Sequence, residues 1–186
     1  MTFSVPPERG VPETVAAILR HAAEATEVAG IDYYEAARTS IPVKIDEDLT
    51  VPVVALAALS LLKLTAWMDR HHETSKDAID LLTLLRLYSD AGNEDRLYGE
   101  ETDLLESSGF DPVVAGARLL GRDAVALCGK LTSRALLERL TNPLRQELEN
   151  HLLRGTAGID DDASQARTLA LLAAYLDELA EASATQ

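Results

Sequence analysis

A lysine and an aspartate, Lys63 and Asp77, lie in the segment KLTAWMDRHHETSKDAIDLL, which covers residues 63–82. The stretch ALAALSLL before Lys63 is apolar, so this lysine belongs to a helix that should be buried nearly all round. Asp77 lies at the start of the next helix, on its apolar side, and can point back at the first helix. A charge pair in a partly desolvated cleft is typical of functional sites, and the lysine there can hold a phosphate.

Other polar side chains accompany this pair. On the first helix they recur at spacings of three and four residues and therefore form one narrow stripe with Lys63. On the second helix they lie on the face that should be wet. We predict Lys63 and Asp77 as catalytic residues, and we predict substrate contacts for Ser60, Trp67, Arg70, Lys76 and Asp80.

Both central residues also have purely structural explanations. A carboxylate in the first turn of a helix interacts favourably with the helix dipole by roughly 0.3–1 kcal/mol, and Asp77 can form a capping box with Thr74. Lys63 can run its stem along Leu59 and Trp67 and put its ammonium group in water. Spacing alone leaves these alternatives open.

The elements that would position these residues are mostly helical. Alternating apolar residues predict a strand pair near residues 43–53, VKI and LTVPV around an acidic turn. We expect a mainly α fold, a helical bundle with one short β-hairpin. The predicted units are an N-terminal arm and helix (1–42), a strand pair with helical core (43–130) and a C-terminal helical extension packed on that core (131–186). The helices are predicted near 13–28, 55–70, 75–91, 94–106, 111–128, 132–154 and 161–183.

Several of the predicted helix ends depend on single residues. Asp111 followed by Pro112 predicts an N-cap with proline in the first turn, and Pro143 predicts a kink or a division into two helices. The last helix has an apolar stripe that either packs on its own core or contacts a partner, so a homodimer is possible. The stripe comprises Leu169, Leu172, Ala173, Leu176, Leu179 and Ala180.

Composition excludes some classes of protein. With 17 basic and 31 acidic residues the net charge is -14, which argues against strong non-specific binding to nucleic acid. The longest apolar run is interrupted by Pro52 and Ser60, so we expect no membrane span. The single cysteine, Cys128, has apolar neighbours and should be buried. We expect a cytoplasmic protein.

The sequence predicts no metal site. His71 and His72 are adjacent, so on a helix they should point roughly 100° apart, and His21 and His151 are distant in sequence. A solvated histidine pair is the simpler interpretation. The acidic string at residues 46–48 is typical of a turn rather than of a metal site.

Three stretches resemble a known family: LSLLKLTAWMDR, SKDAIDLLTLLRLY and GNEDRLY. They are similar to the C-terminal half of the nucleotidyltransferase-like proteins related to the AbiEii/AbiGii abortive-infection toxins, and the similarity extends over roughly residues 30–186. The resemblance implies that Lys63 and Asp77 are the family's recurrent active-site lysine and aspartate. It also implies that the strands near 43–53 correspond to the pair that precedes this helix in the family.

The chain departs from this family at its N-terminal side. Nucleotidyl transfer needs a glycine-rich turn for the nucleotide phosphates and carboxylates that hold magnesium, and neither pattern is found. We therefore expect an incomplete or degenerate nucleotidyltransferase-like protein that binds no cofactor alone. A nucleoside triphosphate and Mg²⁺ are expected only if a partner protein or a missing N-terminal domain completes the site. The alternative is a non-catalytic helical binding or accessory module.

Overall fold

The computed structural model describes residues 39–155 and 162–184. Within these residues the chain forms two strands followed by eight helices. The fold is mainly α with one short hairpin, as the sequence predicted. The helix predicted at 13–28 lies outside the described residues.

The two strands form an antiparallel hairpin, β1 (Ile41–Asp46) and β2 (Leu49–Val53). Val43 lies opposite Val51, and the register shifts near the turn. In the turn, the backbone N–H of Glu47 donates to Oδ1 of Asp46 at 2.7 Å. Asp46 is the last residue of β1, and Glu47 and Asp48 form the turn that the acidic string predicted.

The helices alternate with short loops at the predicted breaks. The predicted helix 94–106 is two short helices, because the first ends at Gly99, and the predicted helix 132–154 divides just before Pro143. The helices are α1 (Leu56–Arg70), α2 (Lys76–Leu87), α3 (Glu94–Tyr98), α4 (Thr102–Ser107), α5 (Pro112–Cys128), α6 (Lys130–Arg139), α7 (Asn142–Gly155) and α8 (Asp162–Ala184).

The start of α5 is the clearest case of local sequence fixing a boundary. Oδ1 of Asp111 accepts hydrogen bonds from the backbone N–H groups of Val113 at 3.0 Å and Val114 at 3.2 Å, with Pro112 in the first turn. These bonds satisfy two of the donors that a helix leaves unpaired at its N-terminus. The predicted N-cap is confirmed.

The core is one cluster to which α1, α2 and every later helix contribute. Trp67 of α1 and Tyr175 of α8 are the largest fully buried side chains. Helix α8 packs along α5, and Arg118 and Arg122 of α5 form ion pairs with the buried Glu178 of α8. The two arginines satisfy both carboxylate oxygens of Glu178, whose burial without partners would be costly.

The C-terminal helices join the same core. Leu136, Leu148 and Leu176, one from each of α6, α7 and α8, belong to the single cluster. The apolar stripe of α8 packs mainly inward, although Ala180 is exposed. The division into units at residues 42 and 130 stays a prediction. Among the described residues, no helix combines the length and the apolar character needed to cross a membrane.

Candidate functional site

Helices α1 and α2 form the site, since they pack on each other and are joined by the short loop 71–75. Helix α1 is buried on most sides, as its apolar sequence predicted. Lys63 lies near its middle with a side chain that is 23% exposed. The lysine is thus an edge residue of the core, with its ammonium group at the surface between the two helices.

Two carboxylates of α2 hold this ammonium group. Nζ of Lys63 donates to Oδ1 of Asp77 at 3.2 Å and to Oδ2 of Asp80 at 2.6 Å. The side chain of Asp77 is completely buried, whereas that of Asp80 is 36% exposed. The Lys63–Asp77 contact that helix periodicity predicted is therefore present, and Asp80 adds a second, more exposed carboxylate.

Asp77 has a second cationic partner at the end of α1. Nε of Arg70 donates to Oδ2 of Asp77 at 2.7 Å, and Nη2 of Arg70 donates to Oδ1 at 3.0 Å. Such fork-shaped pairing of guanidinium and carboxylate is among the strongest side-chain hydrogen bonding. We call Lys63, Arg70, Asp77 and Asp80 the Lys–Asp cluster.

The charges of the cluster are fixed by these contacts. Burial raises the pKa of Asp77, but the hydrogen bonds from Arg70 and then Lys63 outweigh it and bring the pKa below its ordinary value. The hydrogen bond to Asp80 is the main cause that raises the pKa of Lys63, and burial opposes it. Lys63 therefore stays a cation and Asp77 an anion at neutral pH, so the pair is built for charge stabilisation rather than for proton transfer.

The sequence left two structural alternatives open, a capping role for Asp77 and a solvated ammonium group for Lys63. The backbone N–H of Lys76 donates to the Thr74 hydroxyl at 3.2 Å, and both carboxylate oxygens of Asp77 face Arg70 and Lys63. Asp77 is therefore an interhelical ion-pair partner, in addition to being an acidic residue in the first turn of α2. The alternative for Lys63 was an ammonium group in water, but this group donates hydrogen bonds to the carboxylates of Asp77 and Asp80.

Two residues of the predicted stripe lie apart from the cluster. Ser60 and Trp67 are fully buried. The Ser60 hydroxyl donates to the Ala57 carbonyl at 2.7 Å and lies 3.0 Å from the Tyr175 hydroxyl, and Trp67 donates from Nε1 to Nδ1 of His151 at 3.1 Å. Their polar atoms are used inside the protein, so the geometry offers no support for the predicted substrate contacts of Ser60 and Trp67.

The packing of α1 explains why Ser60 and Trp67 lie apart from Lys63 and Arg70, although all four were predicted on one stripe. A helix that is buried on most sides points most of its residues at neighbouring helices, so Ser60 and Trp67 face the core, whereas Lys63 and Arg70 lie at an edge that reaches the surface. Lys76 is exposed on α2, as the wet face predicted. Its substrate contact stays a prediction.

The histidine pair is not arranged as the sequence predicted. The sequence favoured a solvated pair, but His71 is buried and His72 alone of the two is exposed. Their ring centroids lie 3.8 Å apart. The ligand atoms of His71, His72 and Glu147 lie within 4.8 Å of one another. The sequence missed this contact because Glu147 comes from the distant helix α7.

The Lys–Asp cluster does not fit a magnesium ion. Both oxygens of Asp77 and one of Asp80 already accept hydrogen bonds from cationic groups. A divalent cation at these oxygens would meet Lys63 and Arg70 at close range and be repelled. One hydrogen of the Lys63 ammonium has no acceptor among residues 39–155 and 162–184, so Lys63 can donate to one further group.

The fold and this cluster define a mainly helical protein with a partly exposed lysine fixed by a buried aspartate. Residues 24–176 match the family model described as "Nucleotidyl transferase AbiEii toxin, Type IV TA system". The chain belongs to this family, which confirms the resemblance seen in the sequence. Neither the curated proteins nor the solved structures contain a match.

Proposed function

We propose that this chain provides the lysine side of a nucleotidyl-transfer site, in which Lys63 binds a phosphate group of a nucleoside triphosphate. The observation that carries the proposal is the position of Lys63, whose side chain is partly exposed and whose ammonium group is anchored by the fully buried carboxylate of Asp77. A lysine held in this way offers a preorganised positive charge, which is what a transferring phosphoryl group requires. Membership of the toxin family supports the same reaction class.

The two aspartates have different roles in this proposal. Asp77 is pinned by Arg70 and stays in place, so it acts as a positioning residue for Lys63. Asp80 is partly exposed and bonds to no other cation among the described residues, so its carboxylate can swing away when a phosphate arrives. In the free protein, Asp80 would then accept the hydrogen bond that Lys63 donates to the phosphate in the complex.

The remaining parts of the reaction come from outside the Lys–Asp cluster. We propose that a partner protein or an additional N-terminal region supplies the glycine-rich turn and the carboxylates for Mg²⁺, because the cluster itself repels a metal. The description of the family as a type IV toxin–antitoxin system supports a second partner, an antitoxin. The acceptor would be an RNA or a protein in the cytoplasm.

Nucleotide binding can be tested by thermal unfolding of the purified chain with and without nucleoside triphosphates, each in the presence and absence of Mg²⁺. We expect triphosphates to raise the Tm of the wild type and of Asp80→Asn, and to leave the Tm of Lys63→Met unchanged. Lys44→Met is the matched control, since Lys44 is an exposed lysine of β1. The control should respond like the wild type.

Two results would contradict the proposal. The first is a wild-type Tm that no triphosphate changes under any of these conditions. The second is a shift of the same size in Lys63→Met, which would place the nucleotide elsewhere. A positive result leads to a transfer assay, in which labelled nucleotide should appear on RNA or protein with wild type and not with Lys63→Met.

A second candidate function is a non-catalytic accessory module that acts through its helical surfaces. The observation in its favour is that two cations and two carboxylates of the cluster balance one another, as they do in a structural ion-pair network. In that case Lys63→Met would lower the free energy of unfolding and change nothing else. Absence of any nucleotide response in the wild type would favour this candidate.

A further inference from the structure

A second group of side chains lies where α1 ends and where α7 passes the loop 71–75. It consists of His71, His72 and Glu147, and each offers a ligand atom within 4.8 Å of the other two. None of these residues belongs to the Lys–Asp cluster. Two imidazoles and one carboxylate are the ligand types that zinc and related transition metals bind.

The hydrogen bonding of His71 orients its ring for coordination. Nδ1 of His71 lies 3.2 Å from the carbonyl oxygen of Met68. A carbonyl oxygen only accepts hydrogen bonds, so Nδ1 carries the hydrogen. In the neutral ring the lone pair is then on Nε2, which is the arrangement found in histidines that bind metals through one nitrogen while the other bonds to the backbone.

Nε2 of His71 faces a carboxylate oxygen. It lies 3.4 Å from Oε2 of Glu147, with the His71 side chain only 7% exposed. With Nδ1 carrying the only hydrogen, lone pairs of Nε2 and of Oε2 face each other. A metal ion bound between these two atoms would relieve their repulsion.

The 3.4 Å separation is the one that a metal ion requires. Two ligand atoms bonded to zinc at about 2.0–2.2 Å in tetrahedral geometry are about 3.4 Å apart. The separation of Nε2 of His71 and Oε2 of Glu147 therefore already matches that of two ligands of one ion. The three ligand atoms lie within 4.8 Å of one another, and His72 is exposed, so its ring can turn to shorten its separation from the other two ligand atoms.

The surroundings support a cation at this position. The C-terminal end of α1 carries the negative end of the helix dipole, which favours positive charge near His71. The Trp67 ring packs against His71 with centroids 4.8 Å apart and is itself held by its hydrogen bond to His151. The side chain of Glu147 is 42% exposed and His72 is exposed, so an ion can reach these two ligands from solvent.

We propose that His71, His72 and Glu147 bind one divalent transition-metal ion, with zinc as the best match, and that the fourth coordination position is taken by water. The ion would fasten the end of α1 and the loop 71–75 to α7. Because the loop joins the two helices of the Lys–Asp cluster, the metal would stabilise the segment that sets the position of Asp77 relative to Lys63. The binding itself is independent of the proposed nucleotide function.

The test uses untagged, EDTA-treated chain titrated with Zn²⁺ by calorimetry and with Co²⁺, whose visible absorption reports a four-coordinate site. We expect one ion per chain. At a zinc concentration a hundredfold above Kd, the Tm should rise by roughly 5–10 °C. Mg²⁺ should have no comparable effect, because it prefers oxygen ligands.

Two variants and one control separate this site from adventitious binding. His72→Asn and Glu147→Gln should each weaken Zn²⁺ binding by more than about tenfold. Glu149→Gln lies on the same helix, where Glu149 pairs with Arg145, and should bind zinc like the wild type. His72 is exposed, so His72→Asn should fold normally.

Two outcomes would overturn the proposal. A wild-type chain that binds no zinc at micromolar concentration would leave the His71–Glu147 contact as a proton-mediated ion pair. Equal zinc affinity in the wild type, His72→Asn and Glu147→Gln would place the metal at other residues.

Discussion

Arg70, the last residue of α1, holds Asp77 in the first turn of α2 through two hydrogen bonds of 2.7 and 3.0 Å. This pairing links the two ends of the loop 71–75. The carboxylate of Asp77 also accepts a hydrogen bond from Lys63 through Oδ1. The carboxylate is fully buried while half of the Arg70 side chain is exposed. The pair is therefore anchored on the Asp77 side, and changes at Asp77 should have larger effects than changes at its partners.

Asp77→Ala should destabilise the protein more than Asp80→Ala. Removing Asp77 deletes three charge-assisted hydrogen bonds and leaves a buried space, for which we expect a cost of about 2–3 kcal/mol. Asp80 is partly exposed and bonds only Lys63 among the described residues, so its removal should cost under about 1 kcal/mol. Urea unfolding of both variants beside the wild type measures the difference. An equal loss of unfolding free energy in Asp77→Ala and Asp80→Ala would show that the buried hydrogen bonds of Asp77 contribute no more to stability than the exposed one of Asp80.

The contribution of Asp77 to stability should depend on pH. Its pKa is lower in the folded protein than in the unfolded chain, because the hydrogen bonds from Arg70 and Lys63 overcome the effect of burial. The contribution is therefore complete above the ordinary aspartate pKa of about 3.9, and it is lost as the pH falls through the lower native pKa. The difference in unfolding free energy between the wild type and Asp77→Asn should shrink over that interval.

The control for this pH dependence is Asp48→Asn, because Asp48 is exposed in the hairpin turn. Its difference from the wild type should not follow that of Asp77→Asn. Urea unfolding at a series of pH values from neutral to acid provides both curves. A difference for Asp77→Asn that stays constant down to the most acid point would mean that Asp77 has no lowered pKa in the native state.

Much of the site could be predicted from the sequence because the information is local. Lys63 and Asp77 are close in the chain, and helix periodicity places both on facing sides of adjacent helices. The role of Arg70 was missed, since periodicity shows the side of a helix but not which carboxylate a long side chain reaches. The same limit applies to Asp80, which was placed on the wet face yet bonds to Lys63.

The remaining parts of the structure depend on contacts between distant segments. Ser60 meets Tyr175 and Trp67 meets His151, and no local pattern specifies either pair. The prediction of a solvated histidine pair was wrong for His71, because its ring packs against Trp67 and meets Glu147 of the distant helix α7.

Gly121 shows such a long-range constraint, because α5 and α8 approach closely at this residue. A Cβ atom there would lie 2.7 Å from the carbonyl oxygen of Tyr175 and 3.1 Å from the backbone nitrogen of Leu179. Alanine improves helix propensity by about 1 kcal/mol. Pushing the two backbones apart should outweigh this gain, so we expect Gly121→Ala to lose about 1–3 kcal/mol net.

Gly155→Ala is the comparison for this variant, because Gly155 also lies in a helix but its nearest atom is Cγ1 of the flexible Ile79 side chain at 3.1 Å. The side chain can move aside, so the free energy of unfolding should change by less than about 1 kcal/mol. Urea unfolding of both variants gives the two values. A Gly121→Ala protein as stable as the wild type would show that α8 can shift along α5, and the close packing of these helices would then not be required for the fold.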